Sequence, residues 1–103
     1  MNSYFVYIIT NQSRGTLYIG ITNDLERRAA EHRAGTFEGF SKQHSLGRLV
    51  YFEECPRVEA AIAREKQLKN WHRQWKINLI ESVNPTWDDL NPRPGMGAET
   101  SSA

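Results

Sequence analysis

Tyr4-Phe5-Val6-Tyr7-Ile8-Ile9, then Asn11-Gln12-Ser13-Arg14-Gly15, then Thr16-Leu17-Tyr18-Ile19-Gly20-Ile21, then Asn23-Asp24-Leu25-Glu26-Arg27-Arg28: this opening stretch decides the fold. Two β-rich runs separated by a short polar segment that ends in glycine predict an antiparallel hairpin. If a four-residue loop joins Thr10 to Gly15, Tyr7 lies directly opposite Tyr18 on one face of the sheet, and two phenols share a patch. A slip of one residue would send Tyr18 through the sheet, so the turn decides whether those hydroxyls can act together.

Gly20 closes the second run, and Asn23 or Asp24 caps a following helix. Leu25, Arg28, Ala29 and His32 follow the i, i+3, i+4, i+7 spacing of a single helical face, which should lie on the sheet. An arginine and a histidine on that stripe need partners. They serve either as a cation snorkelling along an apolar edge with a satisfied core histidine, or as parts of a site beside the tyrosines.

Phe5-Val6-Tyr7, ten residues, Tyr18-Ile19-Gly20, then Arg28 ten positions beyond Tyr18 resembles the GIY-YIG nuclease superfamily. That superfamily includes homing endonucleases, some restriction enzymes and the N-terminal domain of the bacterial excision-repair nuclease subunit. The likeness covers roughly residues 4 to 90. It is closest to small stand-alone bacterial members, whose later part reads much like Leu49-Val50-Tyr51-Phe52-Glu53 and Arg64-Glu65-Lys66-Gln67-Leu68-Lys69-Asn70-Trp71. Phe5 stands where the name motif has its first glycine.

Length and composition agree with a small enzyme domain. The 103 residues suit one core, and 39% hydrophobic content is enough to fill it. There is no membrane-spanning apolar run and no secretory pattern at the N-terminus, so no membrane association is expected. The single cysteine, Cys55, has no internal disulfide partner and no second thiol for a zinc pattern, and a reducing cytoplasm fits best. The net charge is only +1, but residues 1–83 carry about +3 and the remainder about −2. Phosphate contacts are local, so the distribution matters more than the total.

Past the first helix, Ala34 to Ser45 is a polar, glycine-bearing stretch with Lys42 and His44, the kind of long loop that sits beside a site. Arg48 to Glu53 follows as a third strand that Cys55-Pro56 ends. Val58 to Trp71 is a second helix, on which Val58, Ala61, Ile62 and Leu68 make one apolar arc with Glu65 near its centre. A carboxylate in a buried stripe is costly unless it meets a cation or a metal, so Glu65 pairs with an inward arginine such as Arg28 or ligates an ion.

Lys66, Lys69, Trp71, His72, Arg73, Trp75 and Lys76 then alternate cations with rings. The cations either neutralise phosphates or form a solvated helical face; the tryptophans read first as packing, with base stacking the alternative. A third helix from about Gln74 to Val83 presents Trp75, Leu79 and Val83 to the body. Trp87 and Leu90 pack back onto the domain, which ends near residue 90. Residues 91–103 are expected to be a disordered tail.

The resemblance implies a small α/β (α+β) domain, a three-stranded antiparallel sheet flanked by three helices, that cleaves DNA, branched or damaged DNA included, with Mg²⁺ or Mn²⁺. It implies a metal ion on Glu65, Tyr7 as general base or water-positioning group, Arg28 bracing transition-state charge, Tyr18 orienting the nucleophile or phosphate, and His32 bonded to Tyr7 or relaying its proton. Lys42, His44, Lys66, Lys69, Arg73 and Lys76 would contact nucleic acid, and Asn84 is the counterpart of a family asparagine with no settled role. The expected assembly is a monomer or weak dimer. A nucleic-acid-binding module without turnover is the alternative reading.

Overall fold

The computed structural model describes residues 3–34 and 47–90; the loop with Lys42 and His44, and residues 91–103, lie outside the described residues. The chain runs β1 (Tyr4–Thr10), β2 (Leu17–Thr22), α1 (Leu25–Ala34), β3 (Arg48–Cys55), α2 (Val58–Asn70) and α3 (Arg73–Val83). The three strands form one antiparallel sheet in the order β2-β1-β3, which leaves the hairpin's second strand on an edge.

The expected register of the hairpin is corrected. Tyr7 pairs with Gly20, and Tyr18 pairs with Ile9, because six residues rather than four connect Thr10 to Leu17. Side chains hold this longer turn. Thr16 donates its amide to Asn11 Oδ1 at 3.0 Å, the Gly15 amide bonds Gln12 O at 2.9 Å, and Arg14 takes the left-handed conformation at φ 55°. The pairing differs from expectation by two residues, and side chains alternate with period two, so both tyrosines keep the same face as diagonal neighbours.

The two faces of the sheet are separately covered. Val6, Ile8, Ile19, Tyr51 and Cys55 pack with Ala61 and Leu68 of α2, Ile77 and Ile80 of α3, and Trp87. On the opposite face Tyr7 and Ile9 pack with Leu49 and with Leu25 of α1, and Phe5 and Tyr18 lie against them. Asp24 caps α1 by accepting the Arg27 amide at 3.1 Å.

Two sequence expectations about α2 and α3 fail for one reason. Val58 and Ile62 are exposed, as are Trp75 and Val83, while Ala61, Leu68, Ile77 and Ile80 are buried. Each helix covers one twisted face of a small sheet, which needs only a narrow inward stripe, so apolar residues beside that stripe remain in solvent.

Asn84 closes the domain. Its amide nitrogen donates to Val50 O at 3.0 Å and to Asp88 O at 2.9 Å, and its Oδ1 accepts the Asp88 amide at 3.0 Å. The β1–β3 ladder is irregular between Ile8 and Ile9, where Val50 is the extra residue, and its carbonyl finds Asn84. Residues 87–90 then bond to Leu49 through Leu90 N at 2.7 Å and Asp89 Oδ1 at 3.1 Å. These bonds commit Asn84 to holding the closing turn.

A charged network fixes the rotation of α2 on the sheet. Arg64 donates to Glu53 at 2.8 Å, Tyr51 donates its hydroxyl to the same carboxylate, and the guanidinium lies 5.2 Å from the Trp71 ring centroid. The Arg64 and Glu53 side chains are only 25% and 23% exposed. Removing the cation leaves a half-buried carboxylate, so Arg64→Ala should lower unfolding stability in urea by about 2 kcal/mol, between the values for surface and buried pairs.

Candidate active site

Tyr7 enters the site from the central strand, 3% exposed, with its ring over Gly20. A side-chain carbon added at Gly20 would lie 2.6 Å from the Tyr7 hydroxyl oxygen and 2.7 Å from Cζ, so the absence of a side chain there is what admits the phenol. The sequence marked Gly20 only as a strand end. A glycine directly across an antiparallel pair from a tyrosine is the signal that could have revealed its steric role, once the register was known.

His32 comes from α1, whose stripe of Leu25, Ala29 and His32 is buried as its spacing requires. Its Nε2 lies 3.1 Å from the Tyr7 hydroxyl, and its ring sits between the two phenols, with centroids 5.8 Å from Tyr7 and 5.5 Å from Tyr18. Burial and the charge of Arg28 push the His32 pKa down to about 4. A neutral imidazole donates at one nitrogen and accepts at the other, and the tautomer with its proton on Nδ1 leaves Nε2 to accept from the phenol.

Burial, assisted by the phenol of Tyr18 and the carboxylates of Glu65 and Glu31, raises the pKa of Tyr7 well above its ordinary value, and Arg28 opposes them. Arg28, Glu31 and Glu65 thus all act electrostatically on the phenol. Arg28 lies one turn before His32 with its Nε 3.8 Å from Glu31 Oε1. Glu31 was not singled out in the sequence; its i+3 offset from Arg28 on one helix was the available sign.

Glu65 arrives from the other layer. Its carboxylate accepts an ion pair from Lys69 at 3.0 Å and is 19% exposed, so the expected Arg28 partnership is replaced by an i,i+4 pair along its own helix. Lys69, Lys76, Leu17, Tyr18 and Ile19 line one groove of about 260 Å³. Leu17 and Ile19 point to one face of the sheet and Tyr18 to the other, so this groove straddles the outer edge of β2. The two layers meet there, with tyrosines and α1 on one side and the cations of α2 and α3 on the other.

The remaining nucleic-acid candidates separate. Lys66 is exposed. Lys69 and Lys76 are neighbours, with Lys76 Nζ 3.5 Å from Lys69 O, and burial together with Arg73 lowers the Lys76 pKa. Arg73 spends its guanidinium on the carbonyls of Arg14 and Gly15, the latter at 2.7 Å. The six-residue hairpin turn leaves those carbonyls outside the ladder, which turns Arg73 from a phosphate contact into a clamp on the turn.

The chain matches the model of the GIY-YIG catalytic domain over residues 3–78. It belongs to the GIY-YIG family. A UPF0213 protein of Haloquadratum walsbyi is 37% identical over 79% of this chain and 91% of its own length. A UPF0213 protein of Staphylococcus aureus is 36% identical over 79% of this chain and 98% of its own. The solution NMR structure of a UPF0213 protein from Bacillus halodurans superposes with a TM-score of 0.53 at 26% identity, covering 84% of this chain and 92% of the other. This chain thus carries a GIY-YIG domain with the α+β architecture of that neighbour. Among its described residues no helix is long and apolar enough to cross a membrane.

The pairing of Tyr7 with His32 has a pH signature. The folded His32 pKa of about 4 lies below the ordinary 6.5, so between those values the unfolded chain takes up a proton that the folded chain refuses. The contribution of His32 to stability is complete above pH 6.5 and drains away as pH falls toward 4. Glu53 and Glu81 are held below the usual 4.5, by Arg64 and Tyr51 and by Arg14 and Trp87 respectively, so their losses begin lower. Urea midpoints should therefore decline from about pH 6.5 to 5, and His32→Gln should flatten that segment.

Proposed function

We propose that this GIY-YIG domain hydrolyses DNA phosphodiester bonds, with a divalent ion held by Glu65. The observation that carries the reading is the hydrogen bond between Tyr7 and His32, beside a second phenol and within the fields of Arg28 and Glu65.

A phenol whose pKa is raised is not a base in its own right. It serves as a relay: as water attacks phosphorus, the Tyr7 oxygen takes the water proton while its own proton passes to His32 Nε2. The approach of an anionic phosphate raises the proton affinity of both groups and offsets the charge of Arg28 that holds His32 neutral. The guanidinium then faces the extra negative charge of the transition state with a fork of donors. Tyr18, in contact with the other side of His32, orients the attacking water or a phosphate oxygen.

The donor set fits a hard cation. Among the described residues no three His, Cys, Asp or Glu side chains gather, and one partly exposed carboxylate is what Mg²⁺ or Mn²⁺ requires, since such ions keep most of their waters. When bound, the ion supplies charge neutralisation at the phosphate and at the departing oxygen. With Glu65 holding an ion, Lys69 would be released to a phosphate. Such a site cuts one strand at a time, so double-strand breaks take two visits or a weak dimer. A role in repair or recombination, in a reducing cytoplasm, suits a strand-nicking domain with one buried thiol.

A second reading is favoured by the Glu65–Lys69 pair and the raised Tyr7 pKa, both of which describe a quiescent site. On that reading the domain binds nucleic acid without turnover. Incubating the protein with plasmid, branched and single-stranded DNA, with Mg²⁺, Mn²⁺ or EDTA, separates the two. The nuclease reading expects metal-dependent nicking that Arg28→Ala suppresses. Metal-independent binding with every substrate left intact would establish the second reading instead.

A further inference from the structure

Trp75 departs from its expected packing role and is 53% exposed. Trp71 meets it edge-on, with centroids 5.8 Å apart and planes at 82°, and His72 stands against it at 5.4 Å. Trp71, Trp75, Asn78, Leu79 and Ser82 line a groove of about 360 Å³, a size suited to a small organic group.

Trp71 is held rigidly. The Arg64 guanidinium stacks on it and is itself locked by Glu53, so the wall of the groove is in place before any occupant arrives. Lys69 near the end of α2 and Lys76 of α3, close in sequence to the two tryptophans, line the groove that includes Tyr18. The acidic groups nearby are neutralised, Glu65 by Lys69 and Glu81 by Arg14. An aromatic slot beside paired lysines matches an anionic chain that carries flat apolar rings.

We infer that Trp71 and Trp75 form a stacking subsite for an unpaired base, on a DNA strand whose phosphates cross Lys69 and Lys76 to reach Tyr18. The inference rests on the nuclease reading for its direction and deepens it by naming the substrate class: DNA with a single-stranded arm or flap beside the scissile bond. A duplex hides the faces of its bases, whereas an unpaired base offers one to an exposed ring. Asn78 and Ser82 also line this groove and give it polar groups for the edge of any base, which fits a sequence-tolerant subsite.

The test measures binding apart from chemistry. In EDTA, fluorescence anisotropy follows a short labelled oligothymidylate and a blunt duplex of equal length on the full chain, with tryptophan emission read in parallel. The expected result is quenching by the single strand and a loss of roughly tenfold in its affinity in Trp75→Ala, rescued by Trp75→Phe, with duplex affinity changed by less than about twofold. Equal losses for both DNAs, or an unchanged affinity for the single strand, would overturn the subsite. So would concentration-dependent self-association that Trp75→Ala abolishes, because the groove would then seat a second copy of the chain. Failure of hydrolysis leaves these binding outcomes readable, and failure of stacking leaves duplex cleavage untouched.

Discussion

Glu65→Gln is expected to lower DNA cleavage by about three orders of magnitude, close to 4 kcal/mol of transition-state stabilisation, while leaving the fold intact. The substitution keeps the shape of the side chain and removes the charge that holds a hard cation. Its carboxylate pairs with Lys69, an i,i+4 pair in which the lysine is 53% exposed, so the folded state should lose no more than about 0.5 kcal/mol. Raising the Mg²⁺ concentration should not restore the rate. Single-turnover cleavage and urea unfolding on the same preparation check both halves of the expectation, and a parallel fall in stability would assign Glu65 to the fold.

Gly20→Val should be the next most damaging change, and it damages activity more than stability. The first added carbon alone falls 2.6 Å from the Tyr7 hydroxyl oxygen and 2.7 Å from Cζ. Tyr7 is buried on the central strand between its neighbours, so its ring has to tilt and the 3.1 Å bond to His32 breaks. Overpacking of this kind costs about 1–3 kcal/mol of stability. A displacement near 1 Å in a relay group costs about 100-fold in rate. Urea unfolding and single-turnover rates give the two magnitudes, and a Gly20→Val protein that cleaves normally would show that Tyr7 need not lie where the glycine lets it.

The fold was largely legible in the sequence because its strands and helices carry strong periodicity. The inward stripe of α1 is the clearest case: Leu25, Ala29 and His32 are buried where the spacing places them. The hairpin register was not legible. It depends on a turn held by Asn11 and a left-handed Arg14, and side-chain bonding of that kind leaves no periodic trace. The shift of two residues preserved the shared face, so the two tyrosines meet His32 although they do not face each other.

The site was partly legible for a related reason. Glu65 was conspicuous as a carboxylate among apolar neighbours, but which cation it meets depends on how far α2 stands from α1, and those helices lie on opposite faces of the sheet. Local geometry gave it Lys69 instead. Arg73 and Asn84 carry the side-chain types expected of a site, yet they serve carbonyls that a turn and an irregular ladder leave open. Trp75 misled in the opposite direction, as a large apolar ring on a helix whose inward stripe is already filled by Ile77 and Ile80.

The relay between Tyr7 and His32 is the central claim, and Tyr7→Phe tests it most directly, because the change removes one hydroxyl and leaves the ring over Gly20. Single-turnover cleavage of a labelled branched DNA with Mg²⁺ is the measurement. The expected result is a rate lower by about 100-fold or more, with the urea midpoint moved by about 1 kcal/mol or less. A Tyr7→Phe rate within about threefold of the unsubstituted protein would contradict a proton passing through that hydroxyl.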